Sequence, residues 1–330
     1  MKIDLHAHFI PRDCLDMRDR NGRQYGHTIG KNASGQEVLM AGNLFRSTVA
    51  DMCDPEKRIQ YMDGIGLDME VISAAPANIF YEVNAEDGLS FAQSYNNAIA
   101  EVVRAYPDRF LGMATVPLQD ISKAVIELER AVRELDLRAV EIISNINGKN
   151  LDEPELRPFY EKAQELDIPI YVHPGNVAGA ERMQKYWLVN LVGYPLDTSL
   201  AIASVIFGGV LESFPRLKFL FSHAGGYAPF IRGRWEHGYK FSVDACRSIP
   251  KPPSEYFKLL YFDTIIHYDP ALAYLVDTVG VDKVVLGSDY PFDMGDMDPI
   301  AIVRNATGIS EANKERILEH TSAALLKLAI

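Results

Sequence analysis

The chain begins with MKIDLHAH at residues 1–8, a short apolar run that ends in two histidines separated by one residue. Seven similar runs follow, and none shows the polar–apolar alternation of a strand with one face in water. We predict strands over residues 2–6, 69–74, 109–116, 138–144, 169–173, 217–223, 259–264 and 283–289. Continuous apolar strands of this kind are typical of a parallel sheet whose two faces are both buried.

Segments with apolar residues at helical spacing separate these runs. One helix should begin at Asp54-Pro55, where an N-cap residue precedes a proline, and should end near Gly64 and Gly66. Further helices are predicted over residues 87–106, 120–135, 154–166, 197–214, 270–279 and 310–318. Eight strand–helix units predict an α/β fold, a closed (β/α)8 TIM barrel, with a doubly wound open sheet as the alternative.

Residues 9–53 match no strand–helix unit and hold many glycine, asparagine and arginine residues. We predict that they form a small insertion or hairpin after strand one. This places them above the carboxyl-terminal face of the strands, where barrel enzymes have their active sites. The chain is otherwise expected to be a single domain over residues 1–330.

Composition restricts the class of protein. A net charge of -12 argues against nucleic acid as a partner, because phosphate binding needs basic patches. The amino terminus lacks the pattern of a signal peptide, and no run of 18 uncharged apolar residues is present, so we predict no membrane span. Cys14, Cys53 and Cys246 follow no disulfide or CxxC pattern. These features favour a cytoplasmic protein that acts on small molecules.

Four histidines and one aspartate end predicted strands: His6 and His8, His173, His223 and Asp289. His6 and His8 should point into the barrel mouth together, because strand residues two apart share a side. The carboxyl ends of all the strands meet at one face of a barrel, so we predict a divalent metal site there. Imidazole and carboxylate suit zinc, and also manganese or iron. We predict one ion, because strand four has no lysine to bridge a second.

Several motifs in order give the chain a family resemblance. They are MKIDLHAHFIP at residues 1–11, LFR at 44–46, KYWL at 185–188, GGVLESFPRLK at 208–218, HAGG at 223–226, GRWEHG at 233–238 and GSDYPF at 287–292. Over nearly its whole length the chain resembles the amidohydrolase superfamily. The similarity is to the branch of 2-amino-3-carboxymuconate-6-semialdehyde (ACMS) decarboxylase and related aromatic-acid decarboxylases.

The resemblance implies roles for individual residues. The metal ligands would be His6, His8, His173 and Asp289, and His223 would be a catalytic base beside the metal. From the ligand chemistry we expect zinc, with manganese as the alternative. Arg46 would hold a substrate carboxylate. Arg234 would reach the site of a neighbouring subunit, which implies a homodimer. Trp187 and Phe292 would form walls of the substrate pocket.

The expected activity is that of a carbon–carbon lyase. We predict a metal-dependent, non-oxidative decarboxylase of an ACMS-like or hydroxybenzoate-type acid, with a metal-bound water and a histidine acid/base. His223 or Asp289 would protonate the carbon that loses its carboxylate, since histidine titrates near neutral pH. The alternatives are a metal-dependent hydrolase of an amide or lactone and a hydratase of an unsaturated dicarboxylate.

Other polar residues have open interpretations. Asp263 and His267 either support the metal ligands or are ordinary polar loop residues, and Glu141 inside strand four has no assigned role. His27 and His320 are expected to be surface residues. Gly175 and Asn176 stand where related decarboxylases usually have an aromatic residue, so the sequence does not define the substrate.

Overall fold

A computed structural model of the protein describes residues 1–41 and 44–328, with the backbone alone at residues 41 and 44–46. Eight parallel strands pair in chain order and form one sheet. They are β1 Ile3–His8, β2 Met69–Ser73, β3 Phe110–Thr115, β4 Ala139–Ile143, β5 Pro169–His173, β6 Lys218–Phe221, β7 Tyr261–Asp263 and β8 Val284–Val285. Each lies within a predicted strand or extends it by no more than two residues, so the strand predictions are confirmed.

The sheet closes on itself because the segment after β8 pairs with β1. The amide of Leu5 donates to the carbonyl of Leu286 at 2.9 Å, and the amide of His8 donates to the carbonyl of Tyr290 at 2.8 Å. The predicted (β/α)8 barrel is therefore confirmed, and the open-sheet alternative is wrong.

The helices follow the strands and surround the barrel. They are α1 Val49–Cys53, α2 Pro55–Ile65, α3 Ala85–Ala105, α4 Ile121–Arg133, α5 Arg157–Leu166, α6 Tyr194–Phe207, α7 Val210–Ser213, α8 Ala228–Phe241, α9 Pro253–Phe257, α10 Asp269–Val279, α11 Pro299–Asn305, α12 Glu311–Arg316 and α13 Ser322–Leu326. Asp54 caps α2 as predicted, with its side chain accepting from the amides of Glu56 and Lys57.

One predicted helix, over residues 197–214, divides into α6 and α7. Gly209 separates them with a φ of +71°, which residues with a side chain rarely adopt. A Cβ atom at Gly209 would lie 2.6 Å from the carbonyl oxygen of Ser248, so the close approach of that loop also needs glycine. The pair Gly208-Gly209 marked this break in the sequence.

Helix α6 and the π-helical turn before it form an apolar segment, Val189–Phe207, that is long enough to cross a membrane. Half of its most apolar window (50%) is buried inside the protein. Ala201, Ile202 and Val205 are among its buried residues, which is the arrangement of a core helix packed on a barrel.

The segment between β1 and α1 forms two small antiparallel sheets. Met17–Arg18 pairs with Gln24–Tyr25, and Thr28–Lys31, Glu37–Ala41 and Leu44–Thr48 form a three-stranded sheet. An insertion within residues 9–53 was therefore correctly predicted. That the whole chain is one domain stays a prediction.

A bulge in β1 sets the direction of the two histidines. Asp4 is opposite Glu70 and Ala7 is opposite Ile72, so β1 carries one extra residue between these pairs. A bulge of this kind interrupts the strict alternation of side chains along a strand. Leu5 can therefore pack in the apolar cluster within the barrel while His6, the next residue, also turns inward. That cluster includes Val71, Leu111, Tyr171, Leu220, Val285 and, from α13, Ala323 and Leu325.

A buried ion pair joins α2 to the outside of the barrel. The Arg58 guanidinium donates to Glu70 at 2.8 Å, and neither side chain is exposed to solvent. Arg58 also donates to the carbonyl of His8 and lies 4.7 Å from the centre of the Tyr290 ring. Burial and the neighbouring Glu70 carboxylate raise the pKa of Asp4 to about 7. Arg58 is thus the cation that this acidic, buried region requires.

We expect Arg58→Ala to lower the free energy of unfolding by about 3–5 kcal/mol, because it leaves Glu70 buried without its partner. Arg133→Ala is the matched control, since Arg133 and its partner Glu129 are both largely exposed and such pairs contribute less than about 1 kcal/mol. Urea unfolding followed by circular dichroism measures both. Equal and small losses of unfolding free energy in the two variants would show that the burial of Glu70 does not require Arg58.

Candidate metal centre and active-site cavity

The side chains of His6, His8, His173 and Asp289 converge at the carboxyl end of the barrel. Each offers one ligand atom, all four atoms lie within 4.8 Å of one another, and all four residues are buried. The Nε2 atoms of His6 and His8 are 3.1 Å apart. Asp289 Oδ1 lies 3.3 Å from the first and 3.2 Å from the second. The structure therefore brings the four predicted ligands to one point.

The opposite nitrogen of each imidazole is held by the protein. His6 Nδ1 is 2.7 Å from Asp263 Oδ2, and His8 Nδ1 is 2.9 Å from the carbonyl oxygen of Ala74. His173 Nδ1 is 3.0 Å from the carbonyl oxygen of Pro174. Because these partners only accept, each Nδ1 carries a proton and Nε2 is the nitrogen left to bind a metal ion. Such outer bonds orient the rings for a metal ion.

Unsatisfied polar atoms also fit a bound cation. His173 Nε2 and Asp289 Oδ1 are buried and have no hydrogen-bond partner. Burial holds the pKa of His173 well below its ordinary value, so this ring is neutral. Neutral imidazole and an ionised carboxylate are ligands of zinc and manganese. The residues present fit a divalent ion.

The protonation states of the buried groups also fit a bound cation. Burial alone would raise the pKa of Asp289, but the charge of His6 and the hydrogen bond with His223 hold that pKa well below its ordinary value. Burial opposes a charge on His6, yet Asp289 and Asp263 raise its pKa to about 10. Without a metal ion the site therefore takes up a proton, and we expect metal binding to release it.

His223 lies beside the four converging side chains, on a short turn that follows β6. Its Nε2 is 3.4 Å from Asp289 Oδ2. Both His223 and Ala224 have a φ of 52°, a conformation that costs energy for a residue with a side chain. Their amides donate to Asp263 at 2.9 and 2.8 Å. These bonds place His223 at the cavity with its Nε2 toward Asp289.

Asp263 therefore supports the metal ligands and is not an ordinary loop residue. Its carboxylate, fully buried at the end of β7, joins His6 to the turn that carries His223. A carboxylate at the end of an apolar run was the sequence signal for this position. Glu141 in β4 is also fully buried, and burial raises its pKa to about 8.

A cavity of about 320 Å³ opens above this cluster. Its walls include His173, His223 and Asp289, and most of the rest is apolar. Phe292 lines it, with its ring centre 5.2 Å from that of His8, and its contact with substrate stays a prediction. The other described lining residues include Pro76, Leu191, Tyr194, Pro195, Tyr227, Ile265, His267 and Met294.

His27 also lines this cavity and is only 3% exposed, so its prediction as a surface residue is wrong. The insertion folds over the barrel mouth and brings His27 to the cavity wall. No apolar pattern around residue 27 indicated which side of the insertion would be covered. His320 is exposed, as predicted.

The structure leaves three predicted substrate contacts open. Arg46 lies in the strand Leu44–Thr48, but its side chain is outside the described residues. Arg234 is exposed on α8, and Trp187 is half-buried before the π-helical turn. Neither is among the described residues that line the cavity. Their roles stay predictions.

Comparison with known proteins identifies the family. The amidohydrolase family matches residues 3–328. The chain belongs to the amidohydrolase family. It is 37% identical to 2-amino-3-carboxymuconate-6-semialdehyde decarboxylase of Dictyostelium discoideum over 99% of this chain and 92% of that protein. The predicted resemblance to this branch is confirmed.

More distant relatives of this amidohydrolase have other names. Gamma-resorcylate decarboxylase of a Rhizobium species is 25% identical over 83% of this chain and 87% of that protein. The 2-keto-4-carboxy-3-hexenedioate hydratase of a Sphingobium species is 27% identical over 91% and 86%.

Two solved structures share the fold. The 5-carboxyvanillate decarboxylase LigW from Sphingomonas paucimobilis has a TM-score of 0.84 at 24% identity, with 99% of each chain covered. A dihydroxybenzoic acid decarboxylase from Polaromonas, solved with bound manganese and 2-nitroresorcinol, has a TM-score of 0.81 at 22% identity, with 99% of this chain and 96% of that chain covered.

We expect Asp263→Asn to weaken metal binding by about 10- to 100-fold. Asparagine has only one acceptor oxygen, so it cannot accept from His6 and from the backbone N–H groups of His223 and Ala224 together. Metal content after dialysis against graded chelator measures the effect. Asp277→Asn, on the exposed face of α10, is the matched control. Equal metal retention in both variants would remove Asp263 from the support of the site.

Proposed function

We propose that this amidohydrolase is a metal-dependent, non-oxidative decarboxylase, a carboxy-lyase that acts on an ACMS-like or hydroxybenzoate-type acid. The observation that carries the proposal is the convergence of His6, His8, His173 and Asp289 beside His223, at the base of a mainly apolar cavity. The 37% identity to an ACMS decarboxylase over nearly the full chain supports the reaction class.

We propose zinc as the bound ion, with manganese as the alternative. Three imidazoles and one carboxylate suit zinc, and manganese is bound in a structural relative. When bound, the ion polarises a substrate oxygen next to the carboxylate that leaves and stabilises the charge that develops.

The protein's own task is to supply a proton. When the bond between carbon and carboxylate breaks, carbon dioxide leaves and the electron pair stays on the substrate carbon. His223 lines the cavity and its Nε2 is 3.4 Å from Asp289 Oδ2, so the two groups can share a proton. We assign to His223 the transfer of this proton to carbon, with Asp289 as its partner.

Substrate binding depends on apolar walls and on cations. Phe292 and the other apolar side chains of the cavity fit a ring or a conjugated chain. Arg46 is proposed to bind a substrate carboxylate through two parallel hydrogen bonds, and Trp187 is proposed as a wall. The three cysteines are free, in keeping with the cytoplasmic location we propose.

We also propose a homodimer in which Arg234 reaches the neighbouring cavity. Arg234 is exposed on α8 and does not line its own described cavity. The same helix exposes Phe230 by 85% and Phe241 by 76%. Large exposed aromatic residues on one helix are typical of a protein–protein contact.

A hydratase of an unsaturated dicarboxylate is the second candidate. The hydratase relative from Sphingobium is 27% identical over 91% of this chain, which supports keeping this alternative. A hydratase adds water across a double bond and releases no gas, so product analysis separates the two functions.

We expect the enzyme loaded with zinc or manganese to release carbon dioxide from at least one member of a panel of muconate and hydroxybenzoate acids. His223→Ala should keep its metal but lose about 100-fold or more in kcat, because the proton donor is absent. His320→Ala, at an exposed position, is the control. Hydrated or hydrolysed products without gas, or full activity of His223→Ala, would contradict the proposal.

Subunit mixing tests the role of Arg234. Arg234→Ala and Asp289→Asn should each be inactive alone, the first without the arginine and the second without the metal ligand. When differently tagged copies are co-expressed, about half of the dimers are mixed, and each mixed dimer holds one complete site, which restores about a quarter of wild-type activity. A mixture no more active than its components would exclude a shared site.

A further inference from the structure

His267 lies on the loop after β7 and lines the same cavity as His223 and Asp289. Its backbone has a φ of 54°, a left-handed conformation that is costly for a residue with a side chain. The side chain is 43% exposed, so core packing does not explain why a histidine stands there. The loop holds this imidazole at the cavity wall.

One nitrogen of His267 is held by a buried carboxylate. His267 Nδ1 is 2.9 Å from Asp296 Oδ1, and the Asp296 side chain is only 7% exposed. Because the carboxylate accepts, Nδ1 carries a proton and the ring is fixed in orientation. The second ring nitrogen, Nε2, is then the one that remains to contact a molecule in the cavity.

The loop that carries Asp296 is hydrogen-bonded to the segment that carries Asp289. The amide of Asp296 donates to the carbonyl of Ser288 at 2.6 Å, directly before Asp289. Gly295 allows this approach, because a Cβ atom there would lie 2.6 Å from that same oxygen. His267 therefore has a fixed position relative to the proposed site of decarboxylation.

The charged groups around the cavity suggest what the His267 imidazole binds. The described side chains that line the cavity include the carboxylates of Asp289 and Asp293 but no lysine or arginine, so a cationic donor on this wall has to be a histidine. The hydrogen bond from His267 to Asp296 raises the pKa of His267 above its ordinary value, which favours the cationic ring with a proton on Nε2 as well. A protonated imidazole on a mainly apolar wall is a donor for an anionic oxygen.

We propose that His267, oriented by Asp296, binds a second acidic group of the substrate, so that the enzyme selects acids with two anionic groups over acids with one. This inference rests on the proposed decarboxylase function and deepens it, since it names the residue that distinguishes a substrate with two anionic groups from one with a single group. His267 acts in binding and not in proton transfer to carbon.

The test uses the metal-loaded enzyme and two unreactive probes, isophthalate and benzoate, which differ by one carboxylate. Dissociation constants are measured by isothermal titration calorimetry. His267→Asn is the informative variant, because its amide can still donate to Asp296 from a position near Nδ1 but has no donor at Nε2. We expect the wild type to prefer isophthalate by at least about tenfold, and His267→Asn to lose that preference.

Two controls separate a binding role from a structural one. His320→Asn should keep the wild-type preference, and metal content and thermal unfolding of His267→Asn should match the wild type. An unchanged preference for isophthalate in His267→Asn would overturn the proposal, and so would a wild type without preference. Because binding of unreactive probes needs no turnover, failure of the decarboxylase assay would leave this result independent.

Discussion

Backbone hydrogen bonds between β1 and the segment after β8 bring His6 and Asp289 together at the site. The amide of Asp289 donates to the carbonyl of His6 at 2.7 Å. This bond is possible only because the segment after β8 returns to pair with β1. It places a carboxylate from the end of the chain beside two imidazoles from its beginning, so the candidate metal centre exists only when the barrel is closed.

The same constraint makes the site costly to build. Six groups that prefer water, His6, His8, His173, Glu141, Asp263 and Asp289, are nearly or fully buried. The protein compensates with hydrogen bonds that the imidazole Nδ1 atoms donate to Asp263, Ala74 and Pro174, and a bound cation would balance the remaining negative charge. Because both groups are buried, the charge of Asp289 raises the pKa of His6 and the charge of His6 lowers the pKa of Asp289.

The strand ends and the loops supply different parts of the site. Strand ends supply the proposed metal ligands, whose rings are fixed by neighbouring strands and turns. The insertion and the loops after β7 and β8 supply His27, His267 and Phe292, which shape the cavity. Relatives carry the names of decarboxylases and of a hydratase. Barrel folds support different reactions mainly through changes in their loops.

The eight strands, the insertion and the four candidate metal ligands could all be predicted from the order of residues along the chain. An apolar run predicts a strand, and a histidine or aspartate at its end predicts a ligand. Because the carboxyl ends of all barrel strands lie at one face, these end residues are expected to lie together. Asp263 ended such a run, but its partner His6 is 257 residues away, so only the fold assigned its role.

Contacts between distant segments could not be predicted from the sequence and are known only from the fold. The burial of His27, the pair of Arg58 with Glu70 and the bond of His267 to Asp296 all join segments with no local pattern in common. The bulge in β1 likewise follows from its register against β2. Each depends on which surfaces meet when the chain closes, and propensity and periodicity describe single segments and not their contacts.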